Sequence, residues 1–382
     1  MHVGLNLVYW EPDSGGSGTY AAELIRGMHR VEPGTRITAW VARGAPSDLE
    51  GRSWGGPVEW VHLPVRSTGS PVHVPVELLG LGLDARRRGV DVVHGLAYVT
   101  PLLAPGVATV VTLLDLTWKH HPESVTRLAR AMFGMLAPLC GRTADRVVAI
   151  SEHGKADLVT TLGLDPGKID VTPLGVSSRP TADPTPGHRL CTDHGIPEGA
   201  PVVLSVGQIT AHKNLGALVR ALRHSATPGV RLVLPGRTTP YHAELQALAA
   251  REGVAERVVL PGFVTDADLE GLYALADAVV LPSYAEGFGL PVLEAMRRGV
   301  PVACSDASSL PEVAGDAALL FDPHDPVAIA LAVDRLVGDA ELRAELAVRG
   351  RTRAASATWD STAERTLACY RRATAGARGR NR

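Results

Sequence analysis

The sequence predicts an α/β protein of two doubly wound domains facing a central cleft. Three observations lead there. The chain has 382 residues, beyond the size at which one hydrophobic core usually stops growing. In both halves, short runs rich in Val, Ile and Leu alternate with longer amphipathic stretches, the pattern of parallel strands joined by crossover helices. Between the halves, residues 176–200 are rich in Pro, Ser, Thr and Gly and hold no sustained period, as an interdomain connection would.

In the first half, strands are expected near 3–10, 36–42, 58–64, 91–96, 109–116 and 146–151, with helices including 18–30 and 122–141. In the second half they are expected near 201–206, 231–235, 257–261, 277–282 and 301–304. One intervening helix opens on the box-like TDAD of Thr265 to Asp268. Ligands of open α/β sheets bind beyond the carboxyl ends of the strands, so chemistry is sought in the strand-to-helix turns.

Composition narrows the class. Apolar residues make up 45% and charged residues 20% of the chain, which describes a globular protein and excludes a disordered or fibrous one. A formal charge of −2 gives no global reason for a nucleic-acid partner. The arginine runs at 86–88 and 371–382 are taken as solvated surface and tail. Cys140, Cys191, Cys304 and Cys369 form no C-x-x-C pair, so neither a metal site nor a disulfide framework is expected. The opening MHVGLNLVYW has no basic leader, and no apolar run approaches a membrane span, so a cytoplasmic location is expected. In the 122–141 segment, Val125, Leu128, Met132, Phe133 and Leu136 lie beside Arg127 and Arg130. Core packing is the preferred account of that stripe, with peripheral membrane contact the lesser one.

Three turns carry candidate chemistry. In EGFGLPVLEAM, from Glu286 to Met296, the glycines Gly287 and Gly289 allow close backbone approach, and Leu290 with Pro291 can open a helix whose free N–H groups suit an anion. Glu286 lies in the loop and Glu294 is expected in the helix's first turn; a ligand-gripping pair is weighed evenly against a plainer reading, in which Glu294 complements the helix dipole and Glu286 is a solvated turn residue. In SVGQITAHKNLGALV, from Ser205 to Val219, Lys213 sits where a helix begins. A lysine opposes the dipole there, and only four of the 38 Lys and Arg residues are lysines, so a bound anion explains it better than helix stability does. In the glycine-rich turn before the first helix, residues 16–21 match G-x-G-x-x-A, a dinucleotide signature. The following strand region ends at Arg43 with no acidic residue for a ribose, so a diphosphate contact is preferred to a nicotinamide cofactor.

These motifs, together with GGSGTY, VTLLDLTWKHHPE, ADRVVAISE, LPGFV and LPEVAGDAALL, give a chain that resembles glycosyltransferase family 4, retaining enzymes of the GT-B fold, over nearly its whole length. The resemblance implies an acceptor-side domain over 1–178, a linker over 179–200, a donor-side domain over 201–358, and a final helix and basic tail over 359–382 that return to the first domain. It implies that Glu294 holds the ribose and Glu286 the donor sugar. Lys213 and the backbone of Phe288, Gly289 and Leu290 would hold the diphosphate, with Gly15 and Gly16 closing on it. Phe263 and Val264 would border the base. The partners implied are a nucleotide-sugar donor and a small-molecule acceptor, with no metal and no further cofactor. Glu286 and Lys213 would be the catalytic residues, orienting the sugar and neutralising the leaving diphosphate.

Two positions depart from the family pattern. Gln208 stands where an arginine is common, and His212 where related subfamilies place one, so the phosphate clamp lacks a cation unless His212 or Arg237 supplies it. An uncompensated loss of about 3 kcal/mol would slow turnover roughly 100-fold. The family usually reads V-T-x-H-D where this chain has Leu114 before Asp115, placing an apolar wall where relatives bring a histidine to the sugar. That favours a donor lacking a 6-hydroxyl, unless His120, His121 or His94 replaces the missing contact. A catalytically silent nucleotide-sugar-binding subunit is the alternative from another class, and a nicotinamide dehydrogenase the remote one.

Overall fold

The computed structural model describes residues 1–10, 15–43, 45, 49–66, 73–177, 180 and 182–380. The chain divides into two compact units, one comprising Met1–Gly175 and Trp359–Arg382, the other Val176–Thr358.

The first unit holds a parallel sheet of strands β1 (His2–Leu7), β2 (Arg36–Ala42), β3 (Val58–Leu63), β4 (Val92–Gly95), β5 (Ala108–Leu113), β6 (Arg146–Ala149) and β7 (Ile169–Val171), in the order β3-β2-β1-β4-β5-β6-β7. The second unit repeats the plan with β8 (Val202–Leu204), β9 (Arg231–Pro235), β10 (Val258–Gly262), β11 (Ala278–Leu281), β12 (Val302–Ser305) and β13 (Ala318–Phe321), in the order β10-β9-β8-β11-β12-β13. Each order reverses once, between β1 and β4 and between β8 and β11. Those switch points are where doubly wound sheets open a crevice for ligands. The central strands are apolar on both faces, as burial between two helix layers demands: every residue of β1 and β5 is buried.

β7 and β13 are absent from the sequence-based expectation. Both are short edge strands, and three of the four residues of β13 are at least partly exposed. They therefore carry neither a long apolar run nor a clean alternation. The helix expected over 122–141 starts later, at Arg127, because Thr126 caps it by accepting the Ala129 N–H at 3.2 Å. The first helix, Gly15–Val31, starts earlier than expected, so Gly15 and Gly16 belong to its first turn. The TDAD box forms as read: Thr265 caps the helix Asp266–Leu275, accepting the Asp268 N–H at 3.1 Å and donating to its carboxylate at 2.8 Å. The segment read as a structureless linker contains the helix Gly187–His194. It is tied to the Asp266–Leu275 helix by a hydrogen bond from the Thr185 hydroxyl to Asp268 at 2.6 Å.

The last helix, Trp359–Arg380, packs within the first unit against Gly15–Val31. Gly27 permits this crossing, since a β-carbon there would lie 2.8 Å from the Trp359 carbonyl oxygen. Tyr20 stacks on Trp359 with ring centroids 6.5 Å apart, Arg30 pairs with Asp360 at 2.6 Å, and Arg371 pairs with Glu32. Inside, the Tyr370 hydroxyl bonds His94 Nδ1 at 2.7 Å, and His94 Nε2 bonds the Thr112 hydroxyl at 2.8 Å. Burial pushes the His94 imidazole down to about 3, so it stays neutral within this hydrogen-bonded chain. All four cysteines are free and buried.

Candidate active site

The second unit's switch point gathers the two strongest sequence candidates. Lys213 ends the single-turn helix Ala211–Lys213 that follows β8, and Glu286 lies in the turn after β11. β8 and β11 are hydrogen-bonded neighbours, so residues 73 apart in sequence meet. The Lys213 ammonium donates to both oxygens of Glu286, at 2.7 Å to Oε1 and 2.8 Å to Oε2. The side chains are 20% and 9% exposed, so solvent screens this pair less than a surface ion pair.

The surroundings fix the pair in place. The Ser283 hydroxyl donates to Glu286 Oε1 at 2.7 Å, and the Glu286 N–H donates to the Ser308 hydroxyl at 2.9 Å. The Ser309 hydroxyl reaches the carbonyl oxygens of Glu286 and Phe288 at 2.9 and 2.8 Å. Asn214, in the left-handed conformation at φ 53°, ends the lysine's turn and donates to the carbonyls of Pro282 and Pro323 at 3.0 and 2.7 Å. Burial by itself would raise the Glu286 carboxyl. The Lys213 charge and hydrogen bonds, the Ser283 hydroxyl and the nearby His212 outweigh burial and hold it below the usual carboxylate range. Glu286 is thus an ionised carboxylate with three hydrogen bonds accepted and one acceptor site left, poorly suited to taking a proton at neutral pH.

Lys213 thus has a partner that its position at a helix start did not reveal, a carboxylate of the chain itself. Of the three N–H donors of an ammonium, two are spent on Glu286 and one remains.

Gly289 heads the helix Leu290–Arg297 at φ 106°. That backbone conformation favours glycine, and a β-carbon there would also press on Leu310 Cδ2 at 2.6 Å, which would have to shift. No side chain caps this helix start; Pro291 has no N–H and the Val292 N–H bonds the Gly289 carbonyl at 3.0 Å, so the N–H groups of Gly289 and Leu290 are the ones a ligand could take. Glu294 is the fifth residue of this helix, past the first turn in which it was expected. Dipole complementation, which fades beyond the first turn, does not account for it. Its Oε2 accepts the Tyr273 hydroxyl at 3.0 Å. Burial, with the adjacent Glu294 charge, raises that phenol well above its ordinary value and keeps it a donor. Arg298 lies 4.2 Å from the Tyr273 ring centroid and bonds Glu270 at 2.7 Å, bracing the tyrosine.

The remaining donor-side candidates spread outward. His212 accepts the Tyr284 N–H on its carbonyl at 2.9 Å, and its Nδ1 lies 3.2 Å from the Thr210 hydroxyl. Gln208 is exposed and, with Gly207, Lys213 and Ser283, lines a small pocket at the ends of β8 and β11. The Arg237 guanidinium sits 5.5 Å over the ring of Phe263, which is 68% exposed, with Val264 beside it.

In the first unit, Leu114 is half-buried against the apolar cluster containing Trp118, and Asp115 accepts from the Tyr98 hydroxyl at 3.0 Å and the Thr117 N–H at 2.9 Å. Of the histidines offered as substitutes at Leu114, His94 is fully buried in its relay and His120 is exposed on Asp157 at 2.9 Å. His121 faces Glu123 at 3.2 Å. Gly15 adopts φ 58° at the helix start, and residues 11–14 of its turn lie outside the described residues. Sequence reasoning missed Ser283, Ser308, Ser309, Asn214 and Tyr273. Only Asn214 carried a local signal, a residue tolerant of the left-handed region between a turn and a helix.

Two Rossmann-order parallel sheets, with an ion pair and an uncapped helix start at the second sheet's switch point, define an α/β protein of the GT-B fold. Residues 14–179 match the family described as Glycosyltransferase Family 4, and residues 190–353 match Glycosyl transferases group 1. A D-inositol 3-phosphate glycosyltransferase of Xylanimonas cellulosilytica is 34% identical over 242 residues, 60% of this chain and 58% of that protein. The O-antigen chain mannosyltransferase B of Escherichia coli is 31% identical over 239 residues, 60% of this chain and 61% of its own. These matches thus span less than two thirds of either relative. Among solved structures, a sucrose-phosphate synthase of Thermosynechococcus elongatus superposes with TM-score 0.77 at 22% identity, covering 98% of this chain and all of its own. HepE of Anabaena, in complex with UDP and glucose, gives TM-score 0.74 at 19% identity, covering 96% of this chain and 98% of its own. The chain belongs to glycosyltransferase family 4.

Proposed function

We propose that the chain is a retaining glycosyltransferase that moves a sugar from a nucleoside-diphosphate donor to a hydroxyl of a small, natural-product-like acceptor. The carrying observation is the Lys213–Glu286 pair beside the uncapped start of the Leu290–Arg297 helix. The diphosphate takes the remaining Lys213 donor and the N–H groups of Gly289 and Leu290. Glu286, held by Lys213 and Ser283, orients a sugar hydroxyl with its remaining acceptor site on Oε2. Glu294, fixed through Oε2 by Tyr273, grips the ribose with Oε1. The acceptor belongs to the first unit, with Leu114, Asp115 and His120 as its candidate contacts.

In the reaction, the acceptor oxygen bonds the anomeric carbon on the face from which the diphosphate departs. The bond to the phosphate oxygen breaks, and that oxygen takes the acceptor's proton. The two carboxylates support this route over an acid–base pair, because each is already engaged by a different partner and Glu286 is held ionised. The protein's task is to stabilise charge growing on the leaving diphosphate, where one preorganised donor is worth roughly 3–4 kcal/mol. Lys213 meets that demand, so turnover is expected to persist in EDTA. HepE, solved with UDP and glucose, supports a nucleotide-sugar donor. Among the described residues no helix is long and apolar enough to cross a membrane.

Leu114 directs the choice of donor. With His94 and His120 committed elsewhere, an apolar side chain meets the position where relatives bring a histidine to the sugar. Nucleotide release from matched donors is expected to be faster for the 6-deoxy member than for its 6-hydroxylated twin. A clear preference for the 6-hydroxylated donor would remove this role for Leu114. Tight nucleotide binding without release from any donor would favour the silent subunit instead.

A further inference from the structure

The helix Arg127–Thr143 has two apolar faces, and only one is used by the fold. Leu136, Ala137 and Cys140 are buried in the first unit, and Met132 and Phe133 pack against the same cluster. Facing outward, Leu128 is 76% exposed, Met135 61% and Leu139 36%. Spaced i, i+7 and i+11, they fall within about 40° of one another on a helix of 3.6 residues per turn. The stripe expected from sequence is thereby corrected: most of its residues are core, Leu128 is not, and Met135 and Leu139 join it outside.

The charges around this outer stripe are of one sign. The helix carries Arg127, Arg130 and Arg142 and no acidic residue, and all three arginines are exposed. Beside it, Lys119, Met135, Pro138, Leu139, Arg142 and Thr161 line an open depression of about 530 Å³. Lys119 donates to the Thr161 carbonyl at 3.2 Å and Arg142 to the Leu162 carbonyl at 2.8 Å, which holds both cations at its rim. The acids on adjoining segments, Asp157 and Glu123, face His120 and His121.

We infer that this face docks on an anionic lipid surface, with Leu128, Met135 and Leu139 entering the headgroup layer and Lys119, Arg127, Arg130 and Arg142 meeting lipid phosphates. An amphipathic helix with cations beside its apolar stripe binds in this manner. A second copy of the chain is the poorer occupant, because a two-fold contact would set these arginines against their own equivalents. The inference does not depend on the donor or the reaction assigned above.

Sedimentation of the full chain with vesicles tests it. At low salt the protein is expected to pellet with phosphatidylcholine vesicles containing phosphatidylglycerol, but not with phosphatidylcholine alone, and to be released as salt screens the charges. The exposed double variant L128E/M135E is expected to bind anionic vesicles at least about tenfold more weakly while keeping the wild-type thermal midpoint. Failure of the wild type to bind anionic vesicles, or equal binding by the variant, would overturn the inference. So would a concentration-dependent dimer that the double variant abolishes, which would assign the face to a second copy.

Discussion

Replacing Lys213 by alanine is expected to lower kcat for donor turnover by about 100- to 1000-fold, the usual cost of removing one preorganised charge donor from a transition state. Affinity for a nucleoside diphosphate should fall more than affinity for the matching monophosphate, because the lysine is assigned to the second phosphate. The substitution also strands Glu286, whose side chain is only 9% exposed, without its cation. Breaking a pair this enclosed destabilises by about 3 kcal/mol, so activity and stability must be separated. The double variant Lys213→Ala/Glu286→Gln removes the unpaired charge and should recover most of the thermal midpoint while remaining inactive. Recovery of turnover along with stability would show that the lysine serves the fold alone. Equal losses of diphosphate and monophosphate binding would remove it from the phosphate clamp.

Glu294→Ala should raise the dissociation constant for the nucleotide by roughly 10- to 100-fold, since a hydrogen bond to a charged group is worth about 1.5–3 kcal/mol. Its effect on kcat should be small. Glu286→Ala should do the reverse, lowering turnover with little change in nucleotide affinity, because its partners in the structure are Lys213 and Ser283 and its assigned ligand is the sugar. Tyr273→Phe leaves the Glu294 carboxylate in place but removes the hydroxyl 3.0 Å from Oε2, and should fall between wild type and Glu294→Ala in calorimetric titration. If Glu286→Ala and Glu294→Ala change affinity and turnover alike, the division of one donor between two grips is wrong.

What could be read from the sequence followed from local periodicity. The central strands announce themselves because burial on both faces makes them continuous apolar runs, as at β9, whose observed span Arg231–Pro235 matches the expected one. The edge strands β7 and β13 escaped because partial exposure interrupts such runs. Within the site, residue types in turns after strands identified Lys213, Glu286 and Glu294. Their partners were illegible because pairing depends on strand order. Only the adjacency of β8 and β11 sets Lys213 against Glu286, and only the packing of the Asp266–Leu275 helix sets Tyr273 against Glu294. The pairing of Lys213 with Glu286 was therefore not part of the reading of either residue.

That neutralised pair frames the energetics of donor binding. On the proposed function, a diphosphate would bring negative charge to a site where Glu286 already balances Lys213, and would be accommodated by sharing the ammonium and by the helix start at Gly289 and Leu290. Gln208 adds no charge at this end of β8, and Arg237 stands over Phe263.

The most direct test of this account follows hydrolysis of a panel of nucleoside-diphosphate sugars by proton NMR, in EDTA, reading the anomer released before mutarotation equilibrates it. The account predicts release of the nucleoside diphosphate with at least one donor and a sugar that keeps the donor's anomeric configuration, at a rate about 100-fold or more lower in Lys213→Ala. Release of the inverted anomer, or turnover in Lys213→Ala within about tenfold of wild type, would contradict it.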